Sequence, residues 1–189
     1  MTSVSVLSDR DRVLSESLKS FGVLKPIDGS LLPADKGIAF WVVCSDCHRF
    51  SNILDHVRKI TNGVQPHPFA DHGAPLFLSP ESPLNVRNRG DNLLESIGEV
   101  PKFKGVAKGW ICPHAPCAAA TFHKLNIVQQ ITLVKSGKNR VLGKFPSMDI
   151  ACLVWLTVRE GVEHTYVTDG DLWRQWLIEI YPSLATTHL

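Results

Sequence analysis

A run of six apolar residues, Ile38-Ala39-Phe40-Trp41-Val42-Val43, ends directly on Cys44-Ser45-Asp46. A short continuous run rich in β-branched and aromatic residues, opened by Gly37, predicts a strand over 37–43 buried on both faces. That is the habit of a parallel strand. Phe50, Ile53, Leu54 and Val57 follow at i, i+3, i+4 and i+7, so the strand feeds an amphipathic helix. A strand, a polar turn and a helix in succession place the turn at the carboxyl edge of an α/β sheet, where such sheets carry their sites.

The rest of the chain is read in the same terms. Ser8 as a cap, Asp9 and Asp11 in the first turn, and Leu14, Leu18 and Phe21 at helical spacing predict a helix over 8–21. It belongs to an N-terminal helix and arm spanning 1–36. Pro66, Pro68, Pro75, Pro80 and Pro83 predict an inserted loop over 63–83 lying across one face. Further expectations are strands at 84–88, 106–112, 127–134 and 164–168, and helices at 91–100, from 118, at 148–160, and from Leu172 to Ile180. The alternation gives one α/β domain over 1–189, with a mostly parallel central sheet flanked by helices.

Bulk properties exclude some functions. A formal net charge of +2 across 189 residues gives no electrostatic case for nucleic acid. No stretch reaches the roughly 18 apolar residues of a membrane span. The N-terminus has no basic-then-apolar signal pattern, so a cytoplasmic location is expected. Four of the five cysteines, at 44, 47, 112 and 117, lie in two clusters, and the fifth is Cys152. An odd, clustered set favours metal or redox chemistry over a disulfide framework.

The second cluster, His114-Ala115-Pro116-Cys117, closes another short apolar run. Cys44, His114 and Cys117 supply two thiolates and an imidazole, a set that suits Zn2+. Three protein ligands and a water make a catalytic site, and four make a structural one. Asp46 or Cys47 is available as the fourth ligand. A redox role for Cys44 and Cys47 is opposed by Asp46, because an acidic neighbour raises a thiol's pKa. Cys112 and Cys152 read as small apolar residues of the core. His67, Asp71 and His72 form either a second metal site or a polar loop, the loop being the simpler reading. Arg87 and Arg89 either attract an anion or decorate the surface. Trp155, Trp173 and Trp176 read as core or subunit interface.

Cys44-Ser45-Asp46 after a buried strand, then Val86-Arg87-Asn88-Arg89-Gly90, then Ile111-Cys112-Pro113-His114-Ala115-Pro116-Cys117, resembles in that order the β-class carbonic anhydrases. The likeness covers roughly residues 37–120. It implies an α/β fold, zinc on Cys44, His114 and Cys117, a homodimer or higher homo-oligomer, and reversible hydration of carbon dioxide to bicarbonate. In the family, an Arg two residues after the Asp pairs with it and keeps it off the metal. Here His48 stands in that place and the guanidinium comes one residue later, at Arg49. On a helix start that displacement turns a side chain by about 100°. The family's glycine after the second Cys is Ala118. Asp46, His48 and Arg49 are therefore the candidate catalytic residues. The alternatives are a non-catalytic zinc protein of the same fold, closed by Asp46 or Cys47, or an enzyme for carbonyl sulfide or carbon disulfide.

Overall fold

The structure is a computed structural model that describes residues 6–27, 38–45, 55, 58–59, 63–159 and 162–182. Among them, helix α1 (Asp9–Ser20) is capped by the Ser8 hydroxyl, which accepts from the Asp11 amide. Strand β1 (Leu24–Pro26) follows. Strand β2 (Ile38–Cys44) contains the apolar run 38–43. It pairs in parallel with β3 (Gln65–Asp71) on one side and β4 (Lys108–Cys112) on the other. Phe40 and Val42 pack into one core cluster, while Ala39, Trp41 and Val43 pack into another on the opposite face. The helix expected over 50–57 falls largely outside the described residues.

The sheet continues from β4 to β6 (Asp149–Arg159) in parallel, then to β7 (Val162–Thr168) and β1 in antiparallel fashion. A two-residue strand, β5 (His114–Ala115), pairs in parallel with β6 beside Trp155 and Leu156. The order is β1-β7-β6-β4-β2-β3. This is the expected α/β class, a mostly parallel sheet flanked by helices, with antiparallel strands at one end.

The structure departs from expectation in three respects. The stretch 63–83 is not all loop: it holds β3 and the short helix α2 (Ala74–Phe77). Pro66 and Pro68, two residues apart, withhold donors on one side only, and β3 is the last strand of the order, where an edge tolerates that loss. Residues 84–88 are not a strand. Arg87 and Asn88 turn the chain with φ of 53° and 59°, and Asn88 becomes the N-cap of helix α3 (Arg89–Lys104).

The third difference is an exchange of types. Ile127–Val134, expected as a strand, opens helix α5 (Ile127–Lys144), and 148–160, expected as a helix, is β6. The α5 start is fixed by a capping box, with Asn126 and Gln129 each bonding the other's amide at 2.9 Å. Ile127, Val128, Ile131 and Val134 then fall on its buried side. In β6, Ile150 and Cys152 join one core cluster, Leu153 and Trp155 a second, and Val154 and Leu156 a third. A run buried on every side has no periodicity to separate strand from helix. Helix α4 (Ala118–Phe122) and helix α6 (Gly170–Ile180) complete the described elements. Trp173 and Trp176 are buried and stacked, as the core reading expected.

Candidate metal centre

Parallel pairing brings the carboxyl ends of β2, β3 and β4 to one edge of the sheet. Cys44 is the last residue of β2. His114 lies just past β4, held in register by the β5–β6 pairing. Cys117 is the N-cap residue of α4. The donor atoms of these three side chains all lie within 4.8 Å of one another, and all three residues are buried. Among the described residues no second trio of His, Cys, Asp or Glu side chains converges in this way.

The spacing tests the fit to a metal. The Cys44 and Cys117 sulfurs are 3.9 Å apart. Two thiolates at about 2.3 Å from one tetrahedral zinc stand about 3.8 Å apart, so the pair already has the required separation. The four described cysteines are unbridged. Without metal, a hydrogen bond with Cys117 and burial push the Cys44 thiol up to about 12, while the neighbouring His114 imidazole pulls it down. As neutral groups the three side chains interact with one another, but their donor set is that of a zinc site. A dication relieves the burial of two thiolate charges.

One further group reaches the site. The Gly73 amide donates to Cys44 Sγ at 3.3 Å. Gly73 sits at φ 70°, where a Cβ would lie 2.4 Å from Leu84 Cδ2. The left-handed turn favours glycine, and a methyl group there would displace the end of the Leu84 side chain. The residue before this turn, Asp71, is the register partner of Cys44 on β3. Asp71 pairs with Arg89 at 2.8 Å. Burial opposes its ionisation, but Arg89 and the His72 amide outweigh that and hold the carboxyl below the usual carboxylate range. Sequence reasoning missed Asp71, Gly73 and Arg89 as parts of one site. The available signal was Phe69-Ala70-Asp71-His72-Gly73, an apolar strand end running into a glycine turn, which the preceding prolines obscured.

The other candidates are placed as follows. Asp46, Cys47, His48 and Arg49 lie outside the described residues. His67 is on β3 with its ring edge-on to Phe69 at 5.3 Å. His72 Nδ1 is 3.4 Å from the Ser45 hydroxyl. Together with the Arg89-paired Asp71, these histidines do not make a second metal site, and the polar alternative is the one that remains. Arg87 is exposed, whereas Arg89 is partly buried. Cys112 and Cys152 are buried in the core, as expected. A cavity of about 190 Å³ opens beside the site, bordered by His72, Leu84, Arg89, Ala119, Phe122 and His123.

The fold and the trio together define an α/β protein with a buried Cys-His-Cys cluster placed to hold a metal ion. No protein-family profile matches the chain, and no curated protein matches it by sequence. It is similar at the level of fold to solved structures of the β-carbonic anhydrase CafD of the filamentous fungus Aspergillus fumigatus. The wild-type enzyme is 12% identical, with 77% of this chain and 99% of that chain covered and a TM-score of 0.42. A single-residue mutant of it is 11% identical over 77% of this chain and 98% of that chain, with a TM-score of 0.45. No helix among the described residues is long and apolar enough to cross a membrane.

Proposed function

We propose that Cys44, His114 and Cys117 bind zinc and that the chain catalyses the reversible hydration of carbon dioxide to bicarbonate as a homodimer or larger homo-oligomer. The observation that carries the reading is the convergence of three soft donors at zinc spacing on the carboxyl edge of a parallel sheet. The order of Cys44-Ser45-Asp46 and His114-x-x-Cys117 in the sequence supports the choice of reaction.

Zinc held by three protein ligands is a Lewis acid that makes a coordinated water acidic near neutral pH. The chain's own groups do the rest. As thiolates, Cys44 and Cys117 would hold the ion together with His114 and offset its charge. Asp46 orients the attacking water or accepts its proton, and His48 or Arg49 holds Asp46 in place. The cavity beside the site suits a small substrate and has an apolar wall in Leu84, Ala119 and Phe122.

A second reading is favoured by His48, which stands where the family has Arg. In it Asp46 or Cys47 closes the metal site and the protein binds zinc without catalysis. Stopped-flow hydration of carbon dioxide by zinc-loaded protein between pH 6.5 and 9 separates the two. The expected result is activity that tracks zinc content. A stoichiometrically loaded protein inactive at every pH toward carbon dioxide, and inactive toward carbonyl sulfide and carbon disulfide as well, would favour the non-catalytic reading instead.

A further inference from the structure

We infer that Arg89 is a positioning residue for the metal centre, acting on Cys44 through the single peptide unit that joins His72 to Gly73. The inference rests on the reading that Cys44, His114 and Cys117 hold a metal.

The Arg89 guanidinium donates to the His72 carbonyl at 3.1 Å. The N–H of the same peptide unit, that of Gly73, donates to Cys44 Sγ at 3.3 Å. A trans peptide is planar and its C=O and N–H point in opposite directions. Fixing the oxygen on Arg89 therefore aims the N–H at the sulfur. Arg89 is itself fixed on three sides. It pairs with Asp71 Oδ2 at 2.8 Å, and its guanidinium carbon lies 4.2 Å over the Phe77 ring. Asp71 is tied back to the site, since its other carboxylate oxygen accepts from the His72 amide at 2.7 Å and its carbonyl accepts from the Ser45 amide at 3.1 Å. Arg89 thus fixes the turn beyond β3, which backbone pairing joins to the chain at Cys44.

The electrostatic consequence follows from the same geometry. A cation on the carbonyl polarises the amide and makes its N–H a stronger donor. A stronger donor stabilises the Cys44 thiolate and draws electron density from it. Partners of this outer kind set ligand orientation and basicity, and their loss commonly costs about 10–100-fold in metal affinity. Arg89 occupies the variable place of the Arg87-Asn88-x-Gly90 segment, to which the family resemblance assigns no role.

The test is a Co2+ titration of the full chain, followed by the thiolate-to-cobalt charge-transfer band. Arg89→Ala is expected to bind Co2+ at least about tenfold more weakly than the parent chain. Its band in the saturated protein should lie at longer wavelength, because the thiolate has become a better donor. Asp71→Asn, isosteric and at a half-exposed position, is expected to fold and to shift both readouts in the same direction by less. A lost thermal midpoint alone would not move the band of a saturated protein. If the parent chain takes up no Co2+, the metal reading itself fails. If it binds Co2+ and both variants keep its affinity and band, the role of Arg89 is overturned while the metal site stands. If Arg89→Ala does not fold, the Asp71→Asn band decides by the same rule.

Discussion

The sulfur atoms of Cys44 and Cys117 lie 3.9 Å apart, although 73 residues of chain separate them. Nothing local holds them together. Cys44 is placed by the pairing of β2 with β3 and β4, and Cys117 by the turn that leaves β5 and enters α4. Their separation matches what one tetrahedral zinc imposes on two thiolates.

Removing one of these ligands should therefore abolish stoichiometric metal. Loss of an outer partner already costs about 10–100-fold, so Cys117→Ser is expected to weaken zinc binding by more than about 100-fold. Competition with a chromophoric chelator measures it. Purified parent protein should carry about one zinc per chain, and unchanged zinc content in Cys117→Ser would refute the ligand assignment.

The pH dependence of the metal-free protein follows from its buried thiols. Burial, reinforced by Cys152, pushes the Cys112 thiol from its ordinary 9.0 up to about 12. Cys152 is raised by its own burial. Between these values the folded chain keeps a proton that the unfolded chain has released. The stability associated with Cys112 is thus full below pH 9.0 and falls as pH rises toward about 12, with a slope of order 1 kcal/mol per pH unit. Chemical denaturation in the presence of chelator should show a lower midpoint at pH 10 than at pH 8. Equal midpoints would contradict the burial of these thiols.

Gly73→Ala tests the turn beside the metal centre. Its φ of 70° strains any residue with a Cβ, and a methyl group 2.4 Å from Leu84 Cδ2 would force that side chain to move. The expected destabilisation is about 1–3 kcal/mol. Pairing the substitution with Leu84→Ala should recover the steric part but not the cost of the left-handed backbone. A neutral single variant would mean that the turn is not formed as described.

At the opposite end of the sheet Asp169 caps α6, accepting from the Asp171 and Leu172 amides at 3.0 Å, and pairs with Lys25 at 2.8 Å. Lys25 and these amides hold its carboxyl below the usual range. A depressed carboxylate stabilises the fold above its unfolded pKa, near 3.9, and that stability is lost as pH falls through the lower folded value. Asp169→Ala is expected to cost about 1 kcal/mol at neutral pH and to flatten the acid limb of the stability profile. Urea denaturation at pH 7 and pH 3 measures both.

What the sequence determined by itself was largely what neighbouring residues decide. The run 38–43 announced β2 because a strand buried on both faces needs apolar residues at every position. Ser8 and Asp9 announced α1, since a capped first turn is a local device. Cys44, His114 and Cys117 stood out because thiolate and imidazole at strand ends have few other uses. Where burial was complete, the pattern went silent. Ile127–Val134 and 148–160 exchange types because burial on every side erases periodicity, and only the capping box at Asn126 and the places available in the sheet distinguish them. The prolines of β3 masked a strand whose edge position, invisible in sequence, is what tolerates them. The Arg89–His72–Gly73–Cys44 relay was equally hidden. Its two middle members take part through the backbone of one peptide unit, which every residue possesses, so their side chains do not mark the link between Arg89 and Cys44. Tertiary structure alone decided that Asp71 lies beside Cys44, and that the peptide following it points at the sulfur.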